Sequence, residues 1–105
     1  MNIEEQAPAR VLRRRVHWQK LVKAAERIRG KRWEDWAERH GDWGRDGLMY
    51  VAVRYGGLRL TEVVREVRMK YQAAAQGVKR FGQALAEDSD RRRFVAKLKE
   101  LKSTI

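Results

Sequence analysis

Two histidines, three tyrosines and 14 acidic side chains are what this 105-residue chain has to offer as catalytic groups. His17 and His40 stand far apart with no carboxylate at ligand spacing, so no metal site is expected. With no cysteine, a thiol nucleophile, a thiolate zinc site and a disulfide framework are excluded. Tyr50, Tyr55 and Tyr71 each lack a neighbouring general base. Glu34, Asp35 and Glu38 fall on the outer face of a short helix beside Lys31 and Arg39, as surface ion pairs do. The segment Gly41-Asp42-Trp43-Gly44-Arg45-Asp46-Gly47 has the glycines of a phosphate cradle. It lacks the Gly-Lys-Ser/Thr ending and follows no strand, so it reads as a helix boundary. No catalysis, no cofactor and no metal are expected.

Polyanion chemistry is better provided for. Lysine and arginine number 25, the formal net charge is +11, and the pI is near 10.7. The excess is spread over both halves of the chain, with local runs at Arg13-Arg14-Arg15 and Arg91-Arg92-Arg93. Between Glu66 and Glu87 there is no acid, while Arg68, Lys70, Lys79 and Arg80 are positive. An acid-free window in so basic a chain implies one face prepared for a polyanion.

The elements that position these residues are expected to be helices. Val11, Leu12, Val16, Leu21, Val22, Ala25 and Ile28 recur at helical spacing over 9–29, between Pro8 and Gly30. A short helix over 31–40 turns Trp33, Trp36 and Ala37 to one side. The next runs from Gly44 to Tyr55 with Asp42 as its cap and LMYVAV at its centre, ended by Gly56-Gly57. Thr61 is the expected N-cap of a helix over 62–67 with Val63, Val64 and Val67 inward. A turn, Arg68 to Lys70, leads into a helix over 71–86. After the break Glu87-Asp88-Ser89, a last helix turns Phe94, Val95, Leu98 and Leu101 inward.

The fold class is therefore all-α, a five- to six-helix domain. Residues 1–30 form an amphipathic helix that is either an arm or part of the core, and residues 31–105 form the domain proper. Trp18, Trp33, Trp36 and Trp43 are assigned to packing the front helices against Leu48–Val53 rather than to stacking on single-stranded bases. Tyr50 and Tyr55 are placed in the core. The longest apolar run, Leu48 to Val53, is too short to span a bilayer. The N-terminus starts acidic and has no apolar stretch, so a cytoplasmic, nucleoid-associated location is expected.

A short helix, a three-residue turn and a longer helix have the dimensions of a helix-turn-helix. At about 100° per residue, Ala74, Val78, Phe81 and Leu85 form one stripe of the second helix. Gln72, Gln76, Lys79 and Gln83 lie opposite, with no carboxylate to repel phosphate. Ala73 and Ala75 are small enough for close approach to a groove floor. Gln72 and Gln76, one turn apart, each offer a donor and an acceptor to adenine. Lys79 and Arg80 are placed for phosphate contacts that fix register.

At these residues the chain resembles the C-terminal DNA-binding domain of the bacterial replication initiator DnaA, a TrpR-like helix-turn-helix. It is closer still to the DnaA-like domain at the C-terminus of REP-associated tyrosine transposases. The pattern there is an apolar helix ending in an Arg-Tyr-like pair, a Leu-x-Glu-Ile/Val helix, and a Tyr-Ser-Ala-Val-x-x-Ala-Val-Arg-Arg-Phe helix. The matching residues are Arg54-Tyr55, Leu60-Thr61-Glu62-Val63, and Tyr71-Gln72-Ala73-Ala74 through Val78-Lys79-Arg80-Phe81. Trp33, Trp36 and Asp42-Trp43-Gly44-Arg45-Asp46 also look like the segment before that domain in the transposase group. The resemblance covers about residues 31–100 and implies double-stranded DNA as the partner.

It also implies Arg68, Lys70, Tyr71, Gln72, Ala73, Gln76, Lys79, Arg80 and Gln83 as the reading edge. In the initiator an Asp-His-Thr-Thr run opens the recognition helix. Here Lys70-Tyr71-Gln72-Ala73 stands there, so the initiator's sequence preference does not transfer. The His-hydrophobe-His motif with which the transposases cleave single strands has no counterpart. A second copy of the chain or a transposase-like protein is the expected protein partner. The competing readings are an assembly module built on helix 9–29, an RNA-binding basic protein, and, last, attachment to an anionic membrane surface.

Overall fold

The computed structural model describes residues 16–104. Their regular structure is entirely helical, with no strand among the described residues. Helix α1 spans Trp18–Arg29, α2 Trp33–Trp36, α3 Gly44–Arg54, α4 Leu60–Val67, α5 Tyr71–Ala84 and α6 Ser89–Thr104. A 3₁₀ turn, Leu85–Glu87, joins α5 to α6. The expected start of the first helix near Pro8 and the run Arg13-Arg14-Arg15 lie outside the described residues.

Helix α3 is the hub. It packs on α5, α6, α1 and α4, and Leu48, Met49, Val51 and Ala52 are wholly buried. That all-round burial explains a sequence with little amphipathic contrast at its centre. Helix α1 packs chiefly on α6 and also on α3, burying Trp18, Leu21, Val22, Ala24 and Ala25. The inner face of α1 is thus part of the core. Gly30 ends α1 in the left-handed conformation (φ 69°), its N–H donating to the Glu26 carbonyl, as such a stop requires.

Helix α2 is a single turn, not the helix over 31–40 that the spacing suggests. Its start is set by the Glu26 carboxylate, which accepts the Trp33 N–H at 2.7 Å. Its end follows from a tether: Arg29 donates to Asp42 at 2.6 Å, which draws the chain back to α1, and Gly41 (φ 83°) makes the reversal. Asp42 then accepts the Gly44 N–H at 2.7 Å, but Trp43 and not Asp42 is the N-cap of α3, which has no side-chain cap, because Asp42 stands one residue too early and is held by Arg29.

Helix α4 begins two residues earlier than expected. The Glu62 carboxylate accepts the Arg59 N–H at 2.8 Å, so the start lies at Leu60 and Thr61 is inside the helix, not its cap. Val63 and Val67 are buried. Arg68 follows in the left-handed region (φ 58°, ψ 46°) with its N–H on the Val64 carbonyl. A side chain with a Cβ is disfavoured there, and glycine is not. Arg68→Gly is therefore expected to raise stability by about 0.5–1 kcal/mol, read as a rise of a few degrees in Tm. A fall in Tm would show that the guanidinium itself supports the turn.

The crossing of α3 and α5 depends on glycine. A Cβ at Gly47 would lie 2.8 Å from the Phe81 ring, and one at Gly77 would collide with the Asp46 carboxylate. Close approach at these two points seats α5 on the hub. Helix α6 starts at Ser89 because Asp88 accepts the N–H groups of Asp90 (2.9 Å) and Arg91 (3.3 Å), so the expected break over 87–89 shrinks to Asp88.

Candidate nucleic-acid interface

Helix α5 has two unlike sides. Ala74, Gly77 and Phe81 are buried against the hub, with Val78 and Leu85 packed beside them. Gln72, Ala73, Gln76, Lys79, Arg80 and Gln83 are all exposed. From Gln72 to Gln83 this edge runs about 16 Å at 1.5 Å per residue, a length suited to a groove about 12 Å wide. Arg68 and Lys70 are exposed on the turn before it, and Tyr71, 52% exposed, stands at the start of the helix. The first turn of α5 carries no acid and no side-chain cap, leaving its N–H groups available to an anion. All nine candidate residues thus share one helix and the turn leading into it. Helix α4 turns Arg65 to solvent ahead of them.

Other sequence expectations need correction. Trp18 and Trp36 are buried, and Trp33 packs edge-on against both, at 5.8 and 4.8 Å between ring centroids. Trp43 does not join them. It lies against Phe81 (5.7 Å) and Phe94 (5.3 Å), supporting the inner side of α5 and the start of α6. Tyr55 is 38% exposed with the Lys99 ammonium 4.2 Å above its ring, because it sits at the C-terminal end of α3, past the core. Tyr50 is half-buried and packs on Phe81. Glu34 pairs with Arg32 at 3.6 Å, rather than with Lys31 or Arg39.

Asp42 and Asp46 both lie among arginines that the fold brings near them. Burial raises the proton affinity of Asp42, but hydrogen bonds from Arg29 and the Gly44 N–H, with the charges of Arg29 and Arg39, outweigh it. Its carboxyl is held below the ordinary aspartate range. Arg29 also lies over the rings of Trp36 (4.7 Å) and Trp43 (5.3 Å). For Asp46 the balance is reversed. Burial dominates and pushes its carboxyl up, against the lowering charges of Arg45, Arg80 and Arg91. Nothing in the spacing of Asp46, Arg80 and Arg91 announces that they meet; Arg80 and the run Arg91-Arg92-Arg93 are visible in the sequence only as charge.

Among the described residues no group of His, Asp or Glu is placed to hold a metal ion, and no helix is long and apolar enough to cross a membrane. No family model, curated protein or solved structure matches the chain.

Proposed function

We propose that this chain is a DnaA-like, sequence-selective double-stranded DNA-binding domain without chemistry of its own. Helix α5 enters a major groove, with α4 and the turn at Arg68 lying across the backbone. The observation that carries this reading is the two-sidedness of α5: a buried stripe ending at Phe81, and an exposed edge of glutamines and cations with no carboxylate. Gln72 and Gln76 meet base edges, and Lys79 and Arg80 meet phosphates, which position without reading sequence.

The test is selection of bound sites from a random duplex pool, followed by titration of the selected site and an unrelated duplex. Lys79→Ala is expected to weaken both duplexes similarly. Gln76→Ala is expected to cost about 1–3 kcal/mol on the selected site only. Equal losses on every duplex from both changes would remove the base-reading role. Preference for hairpin RNA over any duplex DNA would remove the major-groove reading, because A-form RNA hides that groove from a helix.

A further inference from the structure

Beside the exposed edge of α5 lies a recess of about 430 Å³ lined by Trp43, Asp46, Arg80, Phe81, Gln83 and Arg91. Three helices and the chain leading into α3 therefore meet in it. Trp43 and Phe81 form an aromatic wall, and the Arg91 guanidinium lies 5.5 and 5.9 Å from their ring centroids. The ion pair with Asp88 holds Arg91 from the cap of α6. Its Nε is buried with no hydrogen-bond partner among the described residues, as is that of Arg45. A planar guanidinium already fixed by stacking and by a carboxylate loses little freedom on taking a ligand. Arg80 enters from the exposed rim, and the Gln83 amide adds a neutral donor. Two guanidinia and an amide converging on one hollow suit a tetrahedral oxyanion, which arginine binds through paired N–H groups.

We propose that this recess seats one backbone phosphate of the duplex flanking α5, with Arg91 and Arg80 as its charged ligands and Asp46 as the counterweight that sets its strength. The inference rests on the DNA-binding reading and adds to it a contact from α6, outside the two-helix unit. Asp46 is half-buried and lies where a Cβ on Gly77 would strike it. It is faced by Arg45 from its own helix, Arg80 from α5 and Arg91 from α6, and makes no ion pair with a described residue. A phosphate in the recess opposes its ionised form, so seating the phosphate favours proton uptake. Duplex affinity accordingly rises as pH falls through the raised range of the Asp46 carboxyl.

The experiment is a duplex titration of the full chain at several salt concentrations, with melting followed for every variant. Arg91→Gln is expected to lower affinity about tenfold and to reduce the log–log salt slope by about one, while Arg91→Lys keeps the slope. Asp46→Asn is expected to raise affinity about three- to tenfold and to flatten the pH dependence, since it removes a like charge beside the phosphate. Inorganic phosphate, followed by NMR at the Trp43 indole N–H, is expected to shift that signal in the wild type and not in Arg91→Gln. A folded Arg91→Gln protein with unchanged affinity and slope overturns the seat while leaving the DNA-binding reading intact. Where Arg91→Gln does not fold, Asp46→Asn decides: unchanged affinity with unchanged pH dependence overturns the seat. A wild type that binds no duplex at low salt overturns both, whatever inorganic phosphate does.

Discussion

Two carboxylates placed on the exposed edge of α5, Gln76→Glu together with Lys79→Glu, are expected to lower duplex affinity about 100- to 1000-fold and leave the fold intact. Both side chains are exposed, and surface changes of this kind usually alter stability within about 0.5 kcal/mol. The new Glu at position 76 also stands one helical turn before Arg80, an arrangement that supports the helix. In the complex the same two carboxylates would face phosphates and base edges, where like-charge juxtaposition costs several kcal/mol. Duplex titration measures the loss, and circular dichroism melting provides the control. A protein that still binds duplex tightly after the double change would place the DNA elsewhere. The exposed Lys20, Lys23 and Arg27 on α1 would then be the next surface to reverse.

The edge on which that expectation rests was legible because helical periodicity is local. Phe81 turns in and Gln76 turns out for a reason contained in 100° per residue, and Gly30 and Gly41 announce chain reversals through the backbone freedom they alone supply cheaply. What escaped was decided across the fold. The Arg29–Asp42 tether joins residues 13 apart and truncates a helix that local spacing extends. Glu26 spends its carboxylate on the Trp33 N–H, although its own neighbourhood reads as a solvated face. Trp43 has the same composition cues as Trp33 and Trp36, but the chain turns after Asp42 and delivers it to Phe81 and Phe94. Asp46 is the sharpest case. On sequence it is one acid of a helix start, and only the glycine at position 77 lets α5 come close enough to bury it. The recess beside α5 depends on such pairings, which is why its charge was visible beforehand and its geometry was not.

Trp36→Ala is expected to be the most damaging single truncation among the tryptophans, at about 3–5 kcal/mol. Trp36 is 1% exposed, and its indole N–H donates to the Lys31 carbonyl at 3.4 Å. Its ring lies so close to Gly44 that a Cβ there would be 2.6 Å away, so the side chain fills the junction of α1, α2 and α3. Removing it leaves a cavity, and it also takes away the face over which Arg29 is held. That loosens the Arg29–Asp42 pair and, through Asp42, the Gly44 N–H at the start of α3. For a domain with the usual margin of about 5–15 kcal/mol, such a loss consumes a large part of the stability. Urea unfolding followed by circular dichroism measures it as a fall in the transition midpoint with little change in slope. A tryptophan serving as a platform for single strands behaves differently: its removal leaves the midpoint in place and costs about 1–3 kcal/mol of strand affinity for each base that stacked on it. The burial of Trp36 requires the first outcome, and an unshifted midpoint would move the tryptophans from the core to the binding surface.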